Sequence, residues 1–246
     1  READNRAELL DRARREAGVE IEVVSGVEEA RLIHLGVLQG LELYDRRLLL
    51  CDIGGGSTEL LIGERGDALA SASFKLGAVR LTERFFSSEG LHPSAVDSCR
   101  RHIQEVLASF DRAVERHGFE TAVGSSGTIE QVLRLARASA GEEPLRTLNA
   151  AVLKRKQVTA TVAQLIDARA SGTLGSLDDL DPKRADIILA GALVLEGVVG
   201  RFGVKQLLIS EYALREGVFL DTIQRRHGGP LPSPRDVALR SGTDLA

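Results

Sequence analysis

The residues best suited to chemistry lie in one run, CDIGGGSTEL at 51–60: an acid closing an apolar stretch, three glycines, two hydroxyls and a second carboxylate. Glycines let the backbone approach an anion closely and aim successive N–H groups at phosphate oxygens. Gly54, Gly55, Gly56 and Ser57 are therefore the candidate phosphate cradle. Asp52 and Glu59 flank the same tight turn, so they can face each other at its mouth and bind a hydrated divalent cation that bridges phosphates. The competing reading is a glycine-rich hairpin with two solvated acids, and the company of Asp, Ser, Thr and Glu weighs against it.

A second candidate is GSSGT at 124–128, which follows the short apolar run of FETAVG and opens a helical pattern. Gly124, Ser126, Gly127 and Thr128 there can present N–H groups and hydroxyls to an anion. Such turns also serve simply as helix caps. Lys75, Arg80 and Arg215 are candidates for local positive charge, although exposed bases are commonly just solvated. Glu29, in SGVEEARLI, falls on the first turn of a helical pattern, where a carboxylate by position alone reads as dipole-stabilising. The five histidines show no HxH or HxxxH spacing, and His34, on an apolar helical face, reads as a core residue or one that supports a site from behind. No Ser/His/Asp or Cys/His nucleophile can be assembled, so nothing points to covalent catalysis.

These residues need elements to hold them. Leu9, Leu10 and Ala13 give a helix over 4–17 with Gly18 as its stop, IEVVS at 21–25 reads as a strand, and 27–37 as a helix. Runs at 47–53, 58–63 and 68–76, separated by glycine-rich turns, spell an antiparallel meander. Helices are expected at about 78–87, 93–117, 127–138, 154–170, 183–200 and 213–226, with a strand at 204–210. Strands that come first as a meander and later alternate with helices fit an α/β fold with a mixed sheet. GGPLPSP at 228–234 is the one linker-like stretch.

With 246 residues, 43% hydrophobic, the chain can bury a sizeable core. A net charge of -4 and pI near 5.8 disfavour general binding to nucleic acid. The most apolar segment, at 187–200, carries Glu196 and is too short to span a bilayer. Cys51 and Cys99 have no metal-ligand spacing and read as reduced, buried thiols of a cytoplasmic protein. The chain has no methionine, even at position 1, and is expected to be an interior piece of a longer protein.

Six words, SGVEEARLIHLGV, DIGGGSTELLIG, KLGAVRLTERFF, GSSGTIE, RADIILAGALVLEGV and SEYALREGVFLD, resemble in order the segments of the exopolyphosphatase / guanosine pentaphosphate phosphatase family, within the actin-like ATPase group. The resemblance covers nearly the whole chain, with Ser125 standing where family members commonly have threonine. It implies an actin-like, ribonuclease H-like domain with a five-stranded-type mixed sheet over 38–246, preceded at 1–37 by the tail of a first actin-like domain. It also implies that Glu29 is the catalytic base; beside it, Asp52 and Glu59 are expected to be catalytic and to hold Mg²⁺ or, as second choice, Mn²⁺, with Lys75, Arg80 and Arg215 as candidates along a polyphosphate path. The implied substrates are inorganic polyphosphate or guanosine pentaphosphate, with neither nucleic acid nor membrane as partner and a homodimer as one possible assembly. The family's first phosphate loop, Asp-x-Gly-Ser-Asn-Ser, has no counterpart here, so this stretch alone is expected to be inactive. Two other classes remain open: a silent nucleotide- or alarmone-binding regulator, distinguished by ligand stabilisation without phosphate release, and an actin-like kinase, which shares the glycine hairpin but not the SGVEEARLI or RADIILAG words.

Overall fold

The computed structural model describes residues 5–86 and 91–227. β1 (Leu48–Ile53) returns as β2 (Thr58–Glu64) and β3 (Asp67–Phe74) in the expected antiparallel meander. Its second turn uses positive φ at both Arg65 and Gly66, which suits a two-residue hairpin. The chain then passes through α3 (Ala78–Phe85), α4 (Pro93–Leu107) and α5 (Asp111–His117) to β4 (Thr121–Ser125), which lies parallel to β1. α6 (Gly127–Ser139), β5 (Val152–Lys154), α7 (Arg155–Ala170) and α8 (Ile188–Arg201) lead to β6 (Gln206–Ser210), parallel to β4, and the last described element is α9 (Leu214–His227). The sheet order is β3-β2-β1-β4-β6-β5, six strands, the short β5 adding an antiparallel edge to the expected five.

Strand alternation sorts the core into two layers. Leu49, Cys51, Ile53, Leu60 and Ile62 face α3, α4, α6, α7 and α8. Leu48, Leu50, Leu61 and Val123 face the other way, against α2 (Gly26–Gly40) and α9. Asp52, Glu59 and Ser125 share that second phase, so the sheet turns them toward the α2 side. α2 runs across the boundary expected at residue 37 and buries Ala30 through Leu38 except Arg31. Both cysteines are free and buried, and no helix among the described residues is long and apolar enough to cross a membrane.

Several expectations need correction. The IEVVS run is not a strand: Ile21 and Val23 are exposed, and no described strand pairs with them. The 93–117 helix is broken by a 3-10 turn at Ala108–Phe110, which swings Phe110 inward to meet Phe74 and Phe202 edge-on at 6.2 and 6.0 Å. The helix expected from 183 begins at Ile188, because Pro182 opens a separate 3-10 turn. The three-residue β5 is too short to leave a periodic signal. α1 (Arg6–Ala17) forms and ends on the left-handed Gly18, yet none of its residues is buried. The 228–234 stretch lies outside the described residues.

Two glycines let α2 and α9 touch backbone to backbone. A Cβ at Gly217 would overlap the Leu32 carbonyl, and one at Gly36 the Ala213 carbonyl. Nearby, His34 is fully buried against Gly63 with neither ring nitrogen hydrogen-bonded. Burial lowers its pKa from 6.5 to about 4, the Asp67 charge opposing this.

Two outcomes follow from this packing. Gly217→Ala should lower stability by about 1–3 kcal/mol in urea denaturation, whereas Gly175→Ala, with nothing within 4 Å, should be neutral. Because the folded His34 pKa lies below the unfolded value, its contribution is complete above pH 6.5 and is lost as pH falls through about 4. Replacing His34 with Leu should flatten the stability profile over that window by about 3 kcal/mol.

Candidate functional site

The register of the sheet builds a polar row across five strands. Glu59 lies opposite Asp52 and Ser73, and Ser125 lies beside Asp52 and Ser210. The hydroxyls of Ser57 and Ser73 both donate to Glu59 Oε1 at 2.7 Å, and Ser125 Oγ donates to Asp52 Oδ2 at 2.5 Å. Glu59 is only 2% exposed. The expected meeting of Asp52 and Glu59 at the hairpin mouth is therefore present, with the two carboxylates on adjacent strands.

Withdrawal from water makes an ionised Asp52 costly here. The Asp52 carboxyl is pushed up to about 6, first by burial, then by the charges of Glu59, Glu29 and Glu130, with the Ser125 hydroxyl working in the opposite direction. Glu29 thus lies near enough to Asp52 to repel it. Its neighbour Glu28 is engaged elsewhere, bound to Arg31 through both carboxylate oxygens, and that hydrogen bonding lowers its pKa. The helix start is set by Ser25, whose Oγ accepts from the Glu28 N–H and whose carbonyl accepts from that of Glu29. Of the glutamate pair, Glu29 is the one whose charge reaches the carboxylate row.

The glycine turn is held from one side. The Gly54 carbonyl accepts from Ala78 N–H, the Gly55 carbonyl from Val79 and Arg80 N–H, and the Gly56 carbonyl from Arg80 Nε at 2.9 Å. Gly77 makes this docking possible, since a Cβ there would overlap Gly55. The carbonyls are thus occupied by the first turn of α3, while Gly55 and Gly56 remain exposed on the other side. Arg80 belongs to the turn through this bond. Lys75 is exposed just beyond β3, and Arg215 is an exposed side chain on α9 beside Glu216 at 3.8 Å.

The second loop joins the first: the Ile53 N–H donates to Ser126 Oγ at 3.3 Å. Ser126 adopts φ 93°, a conformation that L residues rarely hold, and Gly127 begins α6. The Thr128 methyl packs against Gly191 of α8, and its backbone N–H belongs to the first turn of α6, where no intrahelical acceptor is due. Gly124 has its own packing role, because a Cβ there would press on Ile129 at 2.9 Å.

Sequence reasoning missed the role of Arg184. Its guanidinium occupies the space a Gly127 side chain would fill, placing a fixed cation over the start of α6. Asp181 steadies it at 4.0 Å, and the Gln131 side chain ties that segment to α6 through the Asp179 carbonyl and the Asp181 N–H. A cleft of about 470 Å³ opens here between Gly127, Glu130, Arg134 and Arg184. The signal was present, since Arg184 begins the RADIILAG word.

Among the described residues no three or more His, Cys, Asp or Glu side chains are grouped to hold a metal by themselves. Two carboxylates on adjacent strands suit a cation that completes its shell with water and phosphate oxygens, as Mg²⁺ does.

The description "Ppx/GppA phosphatase family" belongs to the family model that matches residues 1–226. A guanosine-5'-triphosphate,3'-diphosphate pyrophosphatase of Photobacterium profundum is 32% identical over 232 residues, 92% of this chain and 44% of that protein. The chain thus spans less than half the length of this curated relative. The crystal structure of an exopolyphosphatase from Cytophaga hutchinsonii superposes with a TM-score of 0.80 at 26% identity, covering 91% of this chain and 72% of that one. The Aquifex aeolicus Ppx/GppA family member does so with a TM-score of 0.77 at 26% identity, covering 92% and 72%. The mixed α/β fold with its six-stranded sheet is thus shared with solved exopolyphosphatase and Ppx/GppA structures, the family that the six words implied.

The raised Asp52 pKa sets a sign. A carboxyl that holds its proton more tightly when folded adds stability below its unfolded value of 3.8 and loses it as pH rises through about 6. In chelator at pH 7.5, Asp52→Asn should therefore stabilise the chain by about 1–3 kcal/mol in urea denaturation, with the gain vanishing near pH 4.

Proposed function

The chain belongs to the Ppx/GppA phosphatase family, and on that premise we propose that it supplies the carboxylate side of a phosphoanhydride hydrolase active site. The reaction is release of terminal orthophosphate from inorganic polyphosphate or from guanosine pentaphosphate. The observation that carries this reading is the set of Asp52 and Glu59 on adjacent strands, with the glycine turn between them and the Glu29 charge reaching Asp52. Such an arrangement serves an aligned water and a phosphate chain better than a covalent intermediate.

Phosphate oxygens lie on the exposed side of Gly54, Gly55, Gly56 and Ser57, and on the α6 start at Gly127 and Thr128. Gly124 and Ser126 shape that second loop. Arg184, fixed over Gly127, and Arg80, fixed on Gly56, compensate negative charge, while Lys75 and Arg215 extend positive charge along the surface. Asp52 and Glu59 would hold a divalent cation, Mg²⁺ or secondarily Mn²⁺, whose charge would neutralise phosphate oxygens. Glu29 accepts a proton from water as its oxygen bonds to the terminal phosphorus. The bridging P–O bond breaks, and the shortened chain departs with that oxygen. We place this chemistry in the cytoplasm, where both substrates are charged and soluble.

In the full-length protein, Glu29→Gln should reduce phosphate release by about 10²–10⁴-fold while leaving polyphosphate affinity within a few-fold. Phosphate release at the unaltered rate from that variant would remove Glu29 from the role. Measuring kcat/KM for polyphosphate and for guanosine pentaphosphate on the same preparation decides between the substrates.

A further inference from the structure

The word SEYALREGVFLD continues well past the polar row, and its last residues have no part in the chemistry above. We infer that Asp221, at the end of this word, is a positioning residue for Glu29, acting through an ion-pair ring that anchors the first turn of α2 to α9. This rests on the reading of Glu29 as the base.

The ring has four members. Arg31 Nη2 contacts Glu28 at 2.7 Å and Asp221 Oδ1 at 2.6 Å, while Arg31 Nε donates to Glu28 Oε2 at 2.9 Å. Arg225 closes it, with Nε 2.7 Å from Asp221 Oδ2 and Nη2 3.7 Å from Glu28 Oε1. The Asp221 side chain is 13% exposed and Arg31 30%, so the pair is partly withdrawn from water and less screened than a surface contact. Glu28 and Arg31 bracket Glu29 on one helical turn, so the ring clamps the segment that carries it.

None of the described residues ahead of α2 is buried. α1 has no buried residue, and Val19, Ile21 and Val23 ahead of α2 are exposed. The glycine contacts of Gly217 with Leu32 and of Gly36 with Ala213 register the middle and end of the two antiparallel helices. Ahead of them, on the N-terminal side of the buried Ala30, the ring ties the first turn of α2 to α9. A base must hold its water within a few tenths of an ångström of the attack line, and loss of a remote anchor degrades that alignment without removing any substrate contact.

The test is Asp221→Asn in the full-length protein, assayed with long-chain polyphosphate. The expected result is a fall in kcat of about tenfold to a hundredfold with KM little changed, recovery in Asp221→Glu, and no further loss when Asp221→Asn is added to Glu29→Gln. Hydrogen exchange should quicken selectively at the amides of 29–33. If Asp221→Asn fails to fold, Arg225→Gln must show the same kcat-selective loss and the same local exchange. An unchanged kcat, a loss that adds fully to that of Glu29→Gln, or exchange that quickens uniformly would overturn the inference. Full turnover in Glu29→Gln alone overturns the base assignment instead, and the local exchange result then still decides whether Asp221 anchors the turn.

Discussion

Burial of two carboxylates that the sheet register sets side by side, with their mutual repulsion adding to it, is the constraint around which this chain is arranged. Antiparallel pairing of β1 with β2 puts Asp52 beside Glu59, and parallel pairing of β1 with β4 puts a hydroxyl on the far side of Asp52. Neither acid can leave without shifting a strand by a residue, which would send every core side chain to the wrong face. The hydroxyls of Ser57, Ser73 and Ser125 relieve part of the strain by donating to the acids. A cation and a phosphate chain would relieve the rest. Stability in the absence of ligand is thus exchanged for a site already shaped for its charge partner.

The two faces of the sheet divide the labour. On one, α3 and α6 begin at the two glycine loops, so the same packing that fills the larger core also fixes the loop backbones: α3 occupies the carbonyls of Gly54 and Gly55, and α6 starts beneath the Arg184 guanidinium. On the other, α2 and α9 cover a smaller core and bring Glu29 toward the polar row. Close helix contact there uses two glycines and one ion-pair ring in addition to the buried face of α2 from Ala30 to Leu38. If Glu29 is the base as proposed, changes at Gly36, Gly217 or Asp221 would reach the site from outside it.

The meander that carries Asp52 and Glu59 was more legible in the sequence than the elements around it. Glycine clusters punctuate β1, β2 and β3 so strongly that their meander, and with it the meeting of Asp52 and Glu59, follows from turn chemistry and alternation. The IEVVS run failed because β-branched composition says nothing about whether a partner strand exists. The break at Phe110 was hidden because a ring turning toward Phe74 and Phe202 is a tertiary event inside a helical pattern. Ser73 carried no signal of its own, because only the register sets it against Glu59. Arg184 was visible as part of a word, but only the return of its segment over α6 shows what its guanidinium does.

The central claim is that Asp52 and Glu59 hold a divalent cation together with a phosphate chain, and a Mn²⁺ titration followed by electron paramagnetic resonance tests it without relying on turnover. With tripolyphosphate present, the chain should bind a single saturable ion more tightly than without it, and Glu59→Gln should abolish that binding while the protein stays folded. A saturable ion unchanged in Glu59→Gln, or no saturable ion in the presence of tripolyphosphate, would contradict the account.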